Sequence, residues 1–238
     1  MHRFSVLGHA RAALLMLLCA VAVPAEAFNT FTVTTAADNG SNASPTPGSL
    51  RDMIVQANAM ANAVDDVDLI AFAIPGAGVH TITPLSDLPA LTDPVRIDGY
   101  TQTGTSTNTL AVGDDAVLLI ELNGDNVTSF GLDLVAGDST IRGLVVNHFD
   151  SNVFGSAAIR IASSNNVIVG NFIGSNAAGT AAVHNGLGVK LDSGADNVIG
   201  GATPGERNVL AGSATQLSAS GGLGIQVATT QGGTRIQG

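Results

Sequence analysis

Apolar and polar positions alternate in a short phrase that recurs four times between residues 131 and 238. It reads GLDLVAGDSTIRG (131–143), AIRIASSNNVIVG (158–170), GVKLDSGADNVIGG (188–201) and GIQVATTQGGTRIQG (224–238). Each copy is a small residue, an apolar–polar–apolar triplet, a polar turn, a second apolar position and a closing glycine. The closing glycines Gly143, Gly170, Gly201 and Gly238 lie 27, 31 and 37 residues apart, a solenoid period rather than the pattern of a globular domain. Alternation with period two makes each triplet a short strand with one buried face, and no helical period fits.

Strands that recur once per coil stack on their equivalents in the next, forming parallel ladders ~4.8 Å apart. The pattern therefore predicts a parallel β-helix. Its inward columns are Leu132, Ile159, Val189 and Ile225, then Ile141, Ile168, Ile199 and Ile236. Variation in coil length falls on loops, because an insertion at a turn costs little while one in a strand breaks the ladder. The expected outward bulges are 175–185, 202–207 and 212–222.

Upstream, FTVTT (31–35), LIAFAI (69–74), VHTIT (79–83), VRID (95–98) and VLLIEL (117–122) read as strands between Pro and Gly turns. His80 decorates a strand surface in this reading. One segment has helical period instead: Leu50, Met53, Ile54 and Ala57 share a face, Ser49 is an N-cap and Asp52 favours the positive helix start. This helix, ending near Asn62, covers the apolar end of the stack, which would otherwise pair with other chains. Arg51 is read as a salt-bridge or carbonyl contact at that cap.

Composition adds a compartment. Residues 1–27 carry Arg3 and Arg11, an apolar run over 12–23 and an Ala25-x-Ala27 ending, the order of a secretory signal peptide. The run is too short for a comfortable membrane span. Removing the segment takes Arg3, Arg11 and Glu26 from 9 basic and 19 acidic residues, leaving 7 and 18, a net charge of −11. Cys19, the only cysteine, goes with it, so disulfides are excluded. An acidic surface with Lys190 as its one lysine argues against nucleic acid or an anionic membrane as partner. A 45% hydrophobic content supplies ample core, and 12% charged residues with 29 glycines suit a β-solenoid.

The phrases NVIVGNFIG (166–174), NVIGGATPGERNVLAG (197–212) and GTRIQG (233–238) resemble the coil repeats of right-handed parallel β-helix proteins of the pectin-lyase-like type, found in large bacterial secreted proteins. LPALTDPVRIDGYTQTG and LLIELNG are similar to the opening coils of that family. GSLRDMI (48–54), after the strand TVTTAAD, resembles the N-terminal CSLREA motif of secreted β-helix proteins, with Gly48, Asp52 and Met53 at the departing positions. The resemblance covers about residues 31–238. It implies the fold as a whole: an all-β, right-handed, single-stranded parallel β-helix with a short N-terminal capping α-helix. Handedness follows from the resemblance and from the right-handedness of parallel crossovers. The organisation is then signal peptide (1–27), cap and opening coils (28–130) and repeat coils (131–238). No C-terminal cap is visible after Gly238, so the last coil is expected to be covered by further sequence or by a partner.

Polysaccharide lyases and hydrolases on such folds gather acids from neighbouring coils in an outer groove. The outward column here is Asp133, Arg160, Lys190 and Gln226, with one carboxylate, and no catalytic set is recognised. Asp133, Arg160 and Lys190 are the candidate contacts for an acidic glycan or other anionic ligand, the plainer reading being a solvated ladder in which Asp133 offsets Arg160. Asn165, Asn166, Asn197 and Asn208 are read first as turn formers and second as sugar contacts. His148 and His184 are isolated. Asp65, Asp66 and Asp68 form an acidic turn with scope for weak Ca²⁺ binding; no other metal or cofactor is expected. The leading functional expectation is an exported extracellular or cell-surface scaffold, adhesin-like, whose partner is an extracellular polysaccharide or another surface protein. The alternative is a polysaccharide lyase or glycoside hydrolase. A carboxylate–basic cluster within about 6 Å on one outer face would favour the enzyme.

Overall fold

Short apolar–polar alternations need neighbours to satisfy their backbone groups, and here each finds them in strands tens of residues away. The computed structural model describes residues 28–62, 66–125, 129–149, 155–211, 223–228 and 231–238; residues 1–27, read above as a signal peptide, Asp65, and the bulge expected at 212–222 lie outside the described residues. In chain order the elements are β1 (Thr30–Val33), α1 (Leu50–Ala59), β2 (Asp68–Phe72), β3 (His80–Ile82), β4 (Val95–Asp98), β5 (Ile120–Asn123), β6 (Phe130–Leu134), β7 (Thr140–Arg142) and β8 (Leu144–Asn147). They continue as β9 (Ala157–Ala162), β10 (Val167–Val169), β11 (Phe172–Ile173), β12 (Leu187–Ser193), β13 (Val198–Ile199), β14 (Val209–Leu210), β15 (Leu223–Val227) and β16 (Arg235–Ile236).

The strands form three all-parallel sheets. Sheet I has seven strands in the order β1-β2-β4-β7-β10-β13-β16, sheet II five (β3-β5-β8-β11-β14) and sheet III four (β6-β9-β12-β15). From β4 to β16 the chain visits sheets I, II and III in strict rotation.

Register puts like residues above like. Phe31, Ile70, Ile97, Ile141, Ile168, Ile199 and Ile236 pair successively along sheet I, and Leu132, Ile159, Val189 and Ile225 along sheet III. Both expected columns are present. Each buried Ile or Leu contributes about 1.5–3 kcal/mol, so these columns are the main cohesive element of the stack. Ile236 keeps register but is 53% exposed, because among the described residues no strand stacks beyond β16.

Corners between sheets III and I require left-handed backbone, which Asn, Asp and Gly tolerate best. Asp138, Asn165, Asp196 and Gly233 occupy that corner in four successive repeats, all at positive φ. At the end of the sheet I strands, the closing glycines Gly143 and Gly170 take positive φ, whereas the third repeat places its left-handed turn at Gly200 rather than at the closing Gly201. Beside the corner runs a buried polar ladder: Asn166 Oδ1 accepts the Ser139 N–H (3.2 Å), and Asn197 Oδ1 accepts both the N–H and the side-chain amide of Asn166 (2.9 and 3.0 Å). Asn171 and Asn208 repeat it at the next corner, Asn208 Oδ1 taking the Asn171 N–H at 3.0 Å. Buried amides that satisfy neighbouring coils in this way fix coil height as well as register.

Helix α1 starts at Ser49, whose hydroxyl accepts the Asp52 N–H at 3.1 Å. Its apolar face (Leu50, Met53, Ile54, Ala57) joins the core and packs on β1 and β2, the edge of sheet I. The helix stops at Ala59, short of the expected Asn62, whose side chain instead bonds the Pro94 carbonyl and the Asp68 N–H. Arg51 is fully buried and spends its guanidinium on Asp38, Asn42 and the carbonyls of Ser86 and Asp87. His80 differs from expectation: it shares a strand face with the buried Ile82, pairs with the buried Ile120, and its half-buried ring closes the inward side of the sheet II edge.

Two of the outward loops fold back on the body. Residues 175–182 close an antiparallel bridge beside Phe172. At 202–207 a 3₁₀ turn (Pro204–Glu206) meets the loop at 108–111, where Asn108 bonds the Pro204 carbonyl and Arg207 the carbonyls of Leu110 and Ala111. Ala177 of the first of these loops, with Tyr100, Ala116 and Val209, packs against a second apolar cluster on the outside of sheet II, formed by Leu118, Val145 and Phe172.

Candidate functional site

Parallel pairing of β6, β9, β12 and β15 stacks Asp133, Arg160, Lys190 and Gln226 on the outer face of sheet III, in the order their positions in the repeats predict. Arg160 sits at the centre. Its Nη1 lies 3.0 and 3.1 Å from the two carboxylate oxygens of Asp133 on the adjacent strand β6, and its Nε donates to Asp192 Oδ2 on β12, the neighbour on the other side, at 2.8 Å. Lys190 Nζ reaches Asp192 Oδ1 at 3.1 Å, closing a four-membered charge network. Phe130 forms its floor: the Arg160 guanidinium lies 5.2 Å and the Lys190 ammonium 5.9 Å from the ring centroid, within cation–π range.

Asp192 is the member that the column reading omits. Its position is a β-bulge: Leu191 pairs with Ile161 and Ser193 with Ala162, leaving Asp192 as the extra residue. Bulges re-aim side chains. The available signal was local, since Asp192 stands two residues beyond Lys190 on the same strand face and diagonal to Arg160.

The two carboxylates are driven apart electrostatically. Burial pushes Asp133 above the ordinary carboxylate pKa, and the Arg160 charge offsets only part of this. Burial also opposes the Asp192 charge, but hydrogen bonds from Arg160 and Lys190 outweigh it and hold Asp192 below its ordinary value. Arg160 is held further protonated, chiefly by its bond to Asp192. The four side chains are each roughly a fifth to a quarter exposed, so a ligand approaching sheet III meets them directly. Chemically the strip offers two cations already paired with two anions. It can exchange an internal carboxylate for a ligand's, and it sets a carboxyl with raised pKa within one guanidinium of a carboxylate with lowered pKa.

The other sequence candidates separate from this strip. Asn166 and Asn197 are fully buried in the corner ladder, and Asn208 lies half-buried beside it, holding Asn171 and the Ile168 carbonyl. Asn165 holds a left-handed corner. His148 Nδ1 meets Asp125 Oδ1 at 2.7 Å on an exposed turn, and its N–H bonds the His184 carbonyl, so these two histidines lie on neighbouring coils. Asp68 is buried at the start of β2. Among the described residues no group of three His, Cys, Asp or Glu side chains forms a metal-binding cluster, and no helix is long and apolar enough to cross a membrane.

A second polar cluster lies on the outside of sheet I. Asp98 faces Arg96 (3.4 Å) and Arg142 (3.3 Å), Arg142 stacks on the Tyr100 ring at 5.1 Å, and the Tyr100 hydroxyl donates to the Gly170 carbonyl at 2.8 Å. Burial raises the Tyr100 pKa to about 12. The hydroxyl is thus a structural clamp across coils at neutral pH.

Neither family models nor curated proteins give a match to this chain.

Proposed function

We propose that the chain is a right-handed parallel β-helix from an exported cell-surface or extracellular protein, a rigid non-enzymatic scaffold whose sheet III strip contacts an acidic polysaccharide. The rotation of the chain through three parallel sheets supports the coil reading, and right-handedness follows the general rule for parallel crossovers. The observation that carries the functional reading is the Asp133–Arg160–Asp192–Lys190 network. Its groups are hydrogen-bonded to one another across three coils, an arrangement that holds a flat, charged, aromatic-floored strip in fixed register. Uronate carboxylates spaced along a polysaccharide would compete with Asp133, the acid least stabilised as an anion, for Arg160.

One observation favours the second reading, a polysaccharide lyase or hydrolase. Asp133 and Asp192 have pKa values shifted in opposite directions around one guanidinium, the pattern that separates a general acid from a charged partner. A single experiment discriminates. Residues 28–238 are incubated with polygalacturonate, alginate and neutral glucan controls, following retention on the immobilised polymer, unsaturated product in the ultraviolet and new reducing ends. The scaffold reading expects retention of polyuronates that Arg160→Ala abolishes, without product. Product formation lost in Asp133→Asn would establish the enzyme, and neither retention nor product would remove the glycan from the account.

A further inference from the structure

A carboxylate oxygen enclosed without a hydrogen-bond partner or a basic neighbour is costly. Asp68 is 1% exposed. Its Oδ1 accepts the N–H and side-chain amide of Asn29 at 2.8 and 3.0 Å, while its Oδ2 is fully enclosed and has no hydrogen-bond partner. Asp93 Oδ2 is likewise enclosed and without a hydrogen-bond partner, on a side chain that as a whole is only half-buried. Strand register sets Asp68 opposite Val95, so Asp93 stands two residues before that partner, at the approach to the adjacent strand. Asn62 lies beside both: its Oδ1 accepts the Asp68 N–H at 2.9 Å, and its side-chain amide donates to the carbonyl of Pro94, next to Asp93. Neither acid forms an ion pair with Arg, Lys or His among the described residues.

The comparison within the fold is informative. Asp68 stands where the corner ladder elsewhere carries Asn: Asn197 takes the N–H and amide of Asn166 on Oδ1, as Asp68 takes those of Asn29, and its Nδ2 donates to the Ser163 carbonyl. An amide at 68 would keep the ladder without the charge. The carboxylate puts a bare oxygen there instead, and Asp93 supplies a second.

We propose that Asp68 and Asp93 bind a divalent, oxygen-seeking cation of the calcium type between the end of α1 and the first strands of sheet I. Two carboxylates balance its charge, and so sparse a ligand set belongs to the weak extracellular class, Kd about 0.1–1 mM. Occupancy would tie the helix end to β2 and to the approach of β4, stiffening the capped end of the stack.

The test is thermal unfolding of the EDTA-stripped full chain, with CaCl₂ added at ~10 mM against MgCl₂ and NaCl at matched ionic strength. The wild type should rise by about 3–5 °C with calcium, and Asp68→Asn and Asp93→Asn should each lose the rise while keeping a Tm in EDTA no lower than wild type. Calorimetric titration of calcium should give one site in the wild type and none in Asp93→Asn, which decides the matter if Asp68→Asn does not fold. An unchanged wild-type Tm would overturn the proposal. A calcium rise of equal size in both variants would overturn it by placing the ion elsewhere.

Discussion

Asp192 Oδ2 lies 2.8 Å from Arg160 Nε, joining strands of two coils through a bulge that breaks the otherwise regular pairing of β12 with β9. The contact converts a column of unlike charges into a closed network, and it makes the two acids unequal. Asp133→Asn should change stability little, since burial already opposes its charge. Asp192→Asn should cost about 0.5–1 kcal/mol, reduced by high salt. Urea unfolding at low and high ionic strength measures the difference; equal losses from the two variants would show that the network does not discriminate between them.

The Asp38–Arg51 pair behaves differently because it is enclosed. With the Arg51 side chain at 0% exposure and Asp38 at 3%, Asp38→Ala strands a buried guanidinium and should cost about 3–5 kcal/mol. Burial opposes the Asp38 charge, but bonds from Arg51 and the Leu85 and Gly40 N–H groups lower its pKa below 3.8. A depressed folded pKa adds stability above the unfolded value of 3.8 that is lost as pH falls through the folded one. Acid unfolding followed by circular dichroism should therefore lose part of its steepness below pH ~4 in Asp38→Asn; an unaltered acid limb would show that the pair carries no linkage.

The corner asparagines separate two mechanisms by position. Asn165 holds a left-handed backbone, so Asn165→Gly should be close to neutral and Asn165→Ala should cost about 1–2 kcal/mol. Asn166 is fully buried and its side chain serves Ser139, Ser163, Ser164 and Asn197; Asn166→Ala should cost at least ~2 kcal/mol, with no relief from glycine. Equilibrium unfolding of the four single variants checks this. Equal costs at both positions would mean that the ladder adds nothing beyond the turn.

Tyr100 is the only tyrosine and the chain has no tryptophan, so its ionisation is read directly in the ultraviolet. The midpoint should fall near 12, set first by burial. A raised folded pKa contributes stability that is whole below the unfolded value of 10 and is lost as pH rises through the folded one. Tyr100→Phe should therefore flatten the alkaline decline. A midpoint near 10 in the folded chain would mean that the hydroxyl is not buried between Arg142 and Gly170.

Much of the stack was legible because the repeats carry their own register. Ile141, Ile168, Ile199 and Ile236 align by counting from each closing glycine, and Ser49 announces the helix start. The bulge at Asp192 was not, since counting along the repeats sets Asp192 against Ala162, which the structure pairs with Ser193 instead. Nor was the apolar cover on sheet II, where Val145 and Phe172 face outward yet are buried by loops reaching from Tyr100 and Ala177. Contacts such as Asn108 to Pro204, 96 residues apart, depend on loop conformation, which no strand periodicity encodes. His80 was legible and misread: alternation with Ile82 sets it on the inward face.

The central claim is that successive repeats are neighbouring rungs, and cysteine cross-linking tests it most directly. Thr140 and Val167 are register partners on the outer side of sheet I, as are Val167 and Val198, while Thr140 and Val198 are two rungs apart. With Cys19 replaced by Ser, oxidation should link Cys pairs at 140/167 and 167/198, whose Cα atoms are ~4.8 Å apart, and leave 140/198 reduced at roughly twice that separation. Efficient linking of 140/198, or failure of both adjacent pairs in folded protein, would contradict the stacking and the account built on it.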